Sequence, residues 1–238
     1  MLALVLGLHL FQQPVCAPEA TVLVTEASLR AAEFDLPVAA RQLRSAVAQG
    51  CTSAEVGALL LQGLVDAREA FRQGGTPASL VPVRQAIASL DMLAKERQGP
   101  AGIARLTLYA AAAAAQSERD EMRLYLEAAM RMELLQRAAN QPGAPLITPA
   151  EVADDLWLQV HGYQEAWQSY VTASQQVGPV LRVLAGIARA TARLNDAASA
   201  CGAFRSLVEE WGVRQAEPPE IGEARAYLRR PACMTAGP

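Results

Sequence analysis

The sequence predicts an all-α fold, and its composition and residue spacing carry that prediction. Hydrophobic residues make up 52% of the 238 residues but aromatic residues only 5%, because alanine supplies much of the apolar content. Alanine has the highest helix propensity and allows helices to approach closely. Long runs of valine, isoleucine and threonine, which are typical of strands, are missing. Apolar residues instead recur at helical spacing between glycine and proline breaks, in a chain long enough to bury a sizeable core.

The first part of the chain divides into four predicted helices. Residues 21–35 carry apolar side chains at helical spacing. Residues 37–50 begin at a proline, which suits a first helical turn, and end at a glycine. Residues 53–74 follow a serine that is a typical N-cap. Residues 76–99 open with the favoured order of threonine cap and then proline.

Two further helices precede the clearest break in the chain. The first, residues 103–115, ends in six consecutive alanines. The second begins after residues 117–121, where acidic side chains favour the positive end of the helix dipole. We expect its buried stripe to consist of Met122, Leu126, Ala129, Met130 and Leu134. Residues 141–145, which contain two prolines and a glycine, are then the predicted linker. Because this linker is short, we expect one continuous stack rather than two domains.

A repeat is visible after the linker. Apolar residues recur 34 positions apart, and the matched pairs are Tyr163 with Ala197, Ala166 with Ala200, Tyr170 with Phe204, and Ala173 with Leu207. Thr148 and Glu151 supply a cap and an acidic first turn at the start of this region. Near the end, two prolines precede a predicted short amphipathic helix with Ile221, Ala224 and Leu228 on its apolar face. Its polar face carries Glu223, Arg225 and Arg229.

The period and the Ala-x3-aromatic spacing resemble the tetratricopeptide repeat, most clearly over residues 149–212. The resemblance implies a right-handed α-solenoid of antiparallel helix pairs with about 10–11 helices, since each such repeat is one helix pair. Residues 18–140 would be less regular helical pairs, and residues 149–230 would be repeats closed by a capping helix. The first-helix signature is different here, because the family's Leu-Gly pair falls on Ala153-Asp154 and on Ile187-Ala188.

The resemblance also implies a concave surface, lined by the first helix of each pair, that binds peptides or proteins. On the first repeat this face would carry Glu151, Asp155 and Gln159, and on the second Arg182, Arg189 and Arg193. The arginines are spaced i, i+7 and i+11, so they share one helix face and could receive the carboxylates of an acidic peptide. Alternatively, Arg182 and Arg189 pair with Glu151 and Asp155 across adjacent helices.

The N-terminal residues 1–17 resemble a secretory signal peptide. Residues 2–11 are apolar but too few to span a membrane, and residues 15–17 offer a possible cleavage site. We therefore expect an exported, periplasmic or extracytoplasmic protein with no transmembrane span after leader removal. The alternatives are a buried first helix or a misassigned start in a cytoplasmic protein, or a lipoprotein anchored through Cys16.

The number of cysteines also bears on whether the protein is exported. Cleavage after Ala17 would leave Cys51, Cys201 and Cys233, an odd number of thiols. One hypothesis is a Cys201–Cys233 disulfide that ties the C-terminal tail to the last repeat. The other is that all three cysteines are small buried thiols.

The sequence offers no pattern for catalysis, for a metal or for a cofactor. Its two histidines, His9 and His161, are far apart, and it contains no phosphate-binding loop, nucleophile elbow or HExxH motif. The net charge is −3 without a basic cluster, which argues against nucleic-acid binding. We therefore expect a non-catalytic helical-repeat scaffold that binds a protein or peptide in a bacterial-type cell envelope. The alternative is a structural or accessory subunit of an envelope enzyme complex.

Overall fold

The computed structural model describes residues 16–32, 35–96, 99–139, 146–177, 180–212 and 219–235, and these ranges contain helices and turns but no strand. The all-α prediction is confirmed. The described ranges contain twelve α-helices, which are α1 (Pro18–Ala32), α2 (Leu36–Ala48), α3 (Glu55–Arg72), α4 (Val81–Glu96), α5 (Pro100–Ala115), α6 (Arg119–Ala138), α7 (Pro149–Gln159), α8 (Tyr163–Val177), α9 (Leu181–Arg193), α10 (Ala197–Trp211), α11 (Pro219–Leu228) and α12 (Pro231–Thr235). A short 3-10 helix, Thr52–Ala54, precedes α3.

Side-chain caps begin several of these helices. Asp35 and Asp196 each accept a hydrogen bond from the backbone N–H three residues further on. Thr148 and Glu151 form a reciprocal capping box at the start of α7, with N–O distances of 3.2 and 2.8 Å. These contacts satisfy backbone donors that have no partner within a helix. The sequence prediction of a capped helix after Thr148 is therefore confirmed.

Some predicted boundaries are wrong. The fourth helix begins at Val81 rather than at Thr76, because the Thr76 hydroxyl accepts from the Ser79 N–H and closes a separate turn first. The first helix begins at Pro18, three residues before the predicted start. The expected linker, residues 141–145, and the leader up to residue 15 lie outside the described residues.

The helices pack mainly on their neighbours in the chain, and α3, α5, α7, α9 and α11 also contact one another in sequence. Helix α5 is the most enclosed, since it packs against α3, α4, α6 and α7 through its alanine-rich surface. Small alanine side chains allow this close approach. The main core runs from α1 to α7, and a second core joins α9, α10 and α11.

Helix α7 lies between these two parts. Its residues Val152 and Leu156 belong to the main core, whereas Trp157 also packs against a small cluster of Ala166, Tyr170 and Ala190 on α8 and α9. Six of the repeat positions are buried, namely Ala166, Tyr170, Ala173, Ala200, Phe204 and Leu207, whereas Tyr163 is partly buried and Ala197 is exposed. They lie on α8 and α10, so the 34-residue spacing marks equivalent buried stripes.

The predicted stripe of α6 is only partly buried. Met122, Leu126 and Ala129 are buried as expected, but Leu134 is 68% exposed. Glu133 and Gln136 are buried instead, so the buried side of α6 does not include Leu134 at this end of the helix. Among the described helices, none is long and apolar enough to cross a membrane.

Candidate binding site on the odd-numbered helices

Two cavities open on the surface formed by α3, α5, α7, α9 and α11, which we call the odd-helix face. The first, the α3–α7 cavity, has a volume of about 360 Å³ and is lined by residues of α3, α5, α7 and α9. The second, the α9–α11 cavity, has a similar volume and is lined by residues of the α7–α8 turn, α8, α9 and α11. Leu158 lines both cavities, so they are neighbours on one face.

The six residues expected on a binding face are not equivalent in the structure. Arg182 forms an ion pair with Glu151, and the two residues are only 2% and 7% exposed. Glu151 also accepts the Thr148 N–H in the capping box. This pair therefore holds α9 against the start of α7, and the expectation that Glu151 and Arg182 present free charges on an open surface is corrected.

Asp155 faces the α3–α7 cavity and is held from two sides. Its Oδ1 accepts a hydrogen bond from the buried Tyr170 hydroxyl at 2.9 Å, and its Oδ2 lies 3.5 Å from Nη2 of Arg68 on α3. The expected pairing of Asp155 with Arg189 is not formed. Asp155 instead joins three helices, since α7 carries it and α8 and α3 supply its partners.

Asp154, which the binding-face prediction left out, is the most unusual ionisable group near this site. Its side chain is 1% exposed, and neither carboxyl oxygen has a hydrogen-bond partner within the described part of the chain. Burial and, to a smaller extent, the charge of the nearby Asp155 raise the pKa of Asp154 to about 9, against the opposing effect of Arg182. Asp154 is therefore a neutral carboxylic acid at pH 7.

Gln159 also lines the α3–α7 cavity. Its Nε2 atom is buried and, among the residues that the structure describes, donates no hydrogen bond. Apolar side chains of Leu64, Phe71, Val152 and Leu156 line the same cavity. An unused amide donor beside apolar walls is typical of a site that holds a mainly apolar ligand with one fixed acceptor.

Arginines characterise the α9–α11 cavity. Arg189 pairs with Glu223 of α11, with Nε–Oε2 and Nη2–Oε2 distances of 2.9 and 2.6 Å. Arg193 is exposed, and its guanidinium lies 6.0 Å from the centre of the Tyr163 ring. No carboxylate within the described ranges pairs with Arg193. The Tyr163 hydroxyl is itself 2.9 Å from Nδ1 of His161, at the rim of the cavity.

The charges of the two cavities differ from the charge of the whole chain. Five arginines and two carboxylates line the cavities, whereas the net charge of the protein is −3. Glu151 and Glu69, which lie outside the cavity linings, pair with Arg182 and Arg72. The odd-helix face therefore keeps a small excess of positive charge, at Arg193, on a negative protein, and this charge suits an anionic ligand. Among the described residues, no group of three or more histidines, cysteines or carboxylates is placed to hold a metal ion.

Two disulfides lie near the two ends of the described chain. Cys201 of α10 is bonded to Cys233 of α12, with the Cα atoms 5.5 Å apart, which is the pairing that we hypothesised. Cys16 is bonded to Cys51, with the Cα atoms 4.6 Å apart, and the sequence had not predicted this bond. A chain cut after Ala17 would lack Cys16 and its disulfide. All four cysteines of this chain are paired, and the odd number of thiols that we expected applies only to a chain cut after Ala17.

Comparisons with known proteins identify no relative of this chain: no family model, curated protein or solved structure matches it significantly.

Proposed function

We propose that this protein is a non-catalytic, exported helical-repeat scaffold that binds an acidic segment of a partner protein on the odd-helix face. In this proposal the helices form a right-handed α-solenoid like that of tetratricopeptide repeats, and the odd-helix face is its concave surface. The observation that carries the proposal is the concentration of arginines in two adjoining cavities of an otherwise acidic protein.

The packing order supports the solenoid. Each helix packs on its successor, and the odd-numbered helices from α3 to α11 pack on one another as well. In a solenoid of helix pairs, each pair contacts only the pairs beside it, and the inner helices form a continuous layer. The equivalent buried stripes of α8 and α10, 34 residues apart, support the same architecture.

The distribution of charge supports an acidic ligand. Arg193 has no carboxylate partner in the described part of the chain, and Arg72 pairs only with Glu69 on its own exposed helix face. Because the arginine guanidinium is planar and presents several N–H donors, it binds carboxylates in two-point contacts. The unused Nε2 donor of Gln159 would bind a backbone carbonyl of the same segment.

The cysteines support export. All four form disulfides, and disulfides persist in oxidising compartments such as the bacterial periplasm. The apolar N-terminal residues, read as a secretory signal, favour the same location. We therefore place the scaffold in a bacterial-type cell envelope.

Fluorescence anisotropy with labelled peptides of about 12 residues tests the proposal, since a peptide of this length bound in extended form spans about 40 Å. The probes are one peptide rich in aspartate and glutamate with interspersed leucines, and its lysine-substituted counterpart. We expect the acidic peptide to bind and the basic peptide to fail. Arg193→Glu and Arg72→Glu should each weaken binding by about tenfold, because each converts an attraction into a repulsion.

Arg229→Glu is the matched control, because Arg229 is exposed but lines neither cavity. It makes the same charge change and should leave the affinity nearly unchanged, after circular dichroism has established equal helicity. Equal losses in all three variants would mean that only net charge matters, and the assignment of the site would then be wrong. A stable one-to-one complex with an envelope enzyme that survives Arg193→Glu would favour the alternative of an accessory subunit.

A further inference from the structure

A third cavity lies on the opposite side of α7 from the α3–α7 cavity, between α6 and α8. It has a volume of about 450 Å³, larger than either cavity of the odd-helix face. Helices α6 and α8 both pack on α7 but do not pack extensively on one another in the described structure. The space between them is a groove whose floor contains Ala150 and Trp157 of α7. We call it the α6–α8 groove.

The α6 wall of this groove has the residue spacing of a helix that packs against another helix. Its lining residues recur at intervals of three and four, which is the spacing of an interhelical seam. Leu126, Met130 and Leu134 form the apolar line of this wall. The α8 wall has the same spacing but is polar, and it consists of Glu165, Gln168, Ser169 and Thr172.

One end of the apolar line on α6 is not covered by any neighbour in the described chain. Leu126 is buried, Met130 is partly buried and Leu134 is 68% exposed. An apolar stripe at helical spacing indicates burial against a neighbour. The end of the stripe that opens into the groove therefore lacks the neighbour that its pattern requires within the described chain.

The charges at the groove indicate which charges a complementary neighbour should carry. Arg123 pairs with Asp120 and Arg137 pairs with Glu133, so the two arginines of the wall are neutralised on their own helix. Glu127 on α6 and Glu165 on α8 line the groove, and no cation pairs with either of them in the described ranges. The groove therefore combines an apolar wall with two uncompensated negative charges.

We propose that the α6–α8 groove binds an amphipathic, basic helix of a partner protein. Its apolar stripe packs against Met130, Leu134 and Trp157, and lysines or arginines on its flank pair with Glu127 and Glu165. The groove extends from Arg123 to Arg137 along α6, so a bound helix of about 14 residues, about 21 Å long, would cover it. This site is separate from the odd-helix face and carries the opposite charge, so a partner could occupy both surfaces.

A display library of helical peptides of about 14 residues tests the proposal, with leucine fixed at helical spacing and the other positions randomised. We expect the peptides that the wild-type protein selects to be enriched in lysine and arginine on one flank. When a selected peptide is synthesised, Leu134→Ser should weaken its binding by about tenfold, because a leucine contact is lost. Glu165→Lys should weaken it at least as strongly, because attraction becomes repulsion.

The neighbouring leucine supplies the control. Leu135 is 65% exposed, much like Leu134, but does not line the groove. Leu135→Ser should change the affinity by less than about twofold, as expected for a side chain outside a contact. Arg193→Glu, on the odd-helix face, should leave this binding unchanged, which separates the result from that of the acidic peptide.

Three outcomes would overturn the proposal. Selection of acidic peptides or of none would refute the stated chemistry. Equal effects of Leu134→Ser and Leu135→Ser would refute the site. Self-association of the wild-type protein by sedimentation, abolished by Leu134→Ser, would make a second copy of the chain the occupant instead of a partner's basic helix.

Discussion

Arg182 of α9 and Glu151 of α7 form a buried ion pair, and the same Glu151 carboxylate caps the backbone at the start of α7. One side chain thus fixes both where α7 begins and where α9 packs. Since α7 lies between the two parts of the core, the stability of this pair affects the whole chain.

We expect Arg182→Met to lower the free energy of unfolding by about 3 kcal/mol, because it leaves the buried Glu151 carboxylate without its cation. Adding Glu151→Gln should recover part of this loss, which a double-mutant cycle in urea would measure. Arg72→Met is the control, since Arg72 makes only an exposed pair with Glu69. If Arg182→Met were no more destabilising than this control, the buried pair would have little structural importance.

The stability of the protein should depend on the protonation of Asp154. Its folded-state pKa is about 9 and that of an unfolded aspartate is about 4, so between these values the folded state holds a proton that the unfolded state releases. Asp154 therefore favours folding at low pH, and this contribution falls as the pH rises from about 4 to about 9, by up to about 1.4 kcal/mol per pH unit.

Asp154→Asn removes this titration while keeping the shape of the side chain. Relative to wild type, the variant should gain stability progressively from pH 5 to pH 9, as measured by urea unfolding at each pH. As a control, Asp120→Asn changes a side chain that is 98% exposed. The stability of this variant should change with pH in parallel with that of wild type. Parallel curves for Asp154→Asn as well would show that Asp154 ionises normally in the folded protein.

Glycines on α9 and α10 should respond in opposite ways to alanine. A Cβ atom at Gly186 would overlap the ring of the buried Tyr170, so Gly186→Ala should cost at least about 2 kcal/mol through overpacking. At Gly202 a Cβ atom would meet nothing within 4 Å. Gly202→Ala should therefore stabilise the protein by about 0.5–1 kcal/mol, the gain in helix propensity. Thermal and urea unfolding would measure the stability of both variants. If Gly186→Ala and Gly202→Ala destabilised the protein by similar amounts, the packing of α8 on α9 would be refuted.

Mass spectrometry should detect both disulfides in the purified, oxidised protein. Two bonds mean a loss of four hydrogens relative to the reduced chain, two for each bond. A mature chain that began at Pro18 would lose only two, so we expect any cleavage to occur before Cys16. Replacing Cys233 with serine should lower stability by about 3–4 kcal/mol on the chain-entropy estimate for its loop. An intact mass equal to that of the reduced protein would refute both bonds.

Local patterns in the sequence were sufficient for features that depend on a few adjacent residues. The capping box of Thr148 and Glu151 needs only a three-residue spacing, and the buried stripes of α8 and α10 need only the helical period. The all-α fold follows from composition for the same reason. The start of the fourth helix was misplaced because Thr76 and Pro77 suit a turn as well as a helix.

The candidate site depends on contacts that no local pattern contains. The pKa of Asp154 is raised because the folded chain buries its carboxyl group, and its one sequence signal was that it stands where the resembled repeat has a glycine. Arg189 reaches Glu223 of α11 rather than Asp155, because the packing of α11 decides that pairing. Leu134 was expected to be buried, but the periodicity of α6 does not reveal that Glu133 and Gln136 occupy the buried side there.

The two disulfides close loops of similar sequence separation, 35 and 32 residues, near opposite ends of the described chain. In a protein whose helices are supported mainly by their neighbours, the terminal helices are supported on one side only and would be the first to fray. The Cys201–Cys233 bond ties the terminal helix α12 to α10, and the Cys16–Cys51 bond ties the segment before α1 to the turn after α2. Heating should therefore melt this protein cooperatively while it is oxidised, and gradually from its ends once it is reduced.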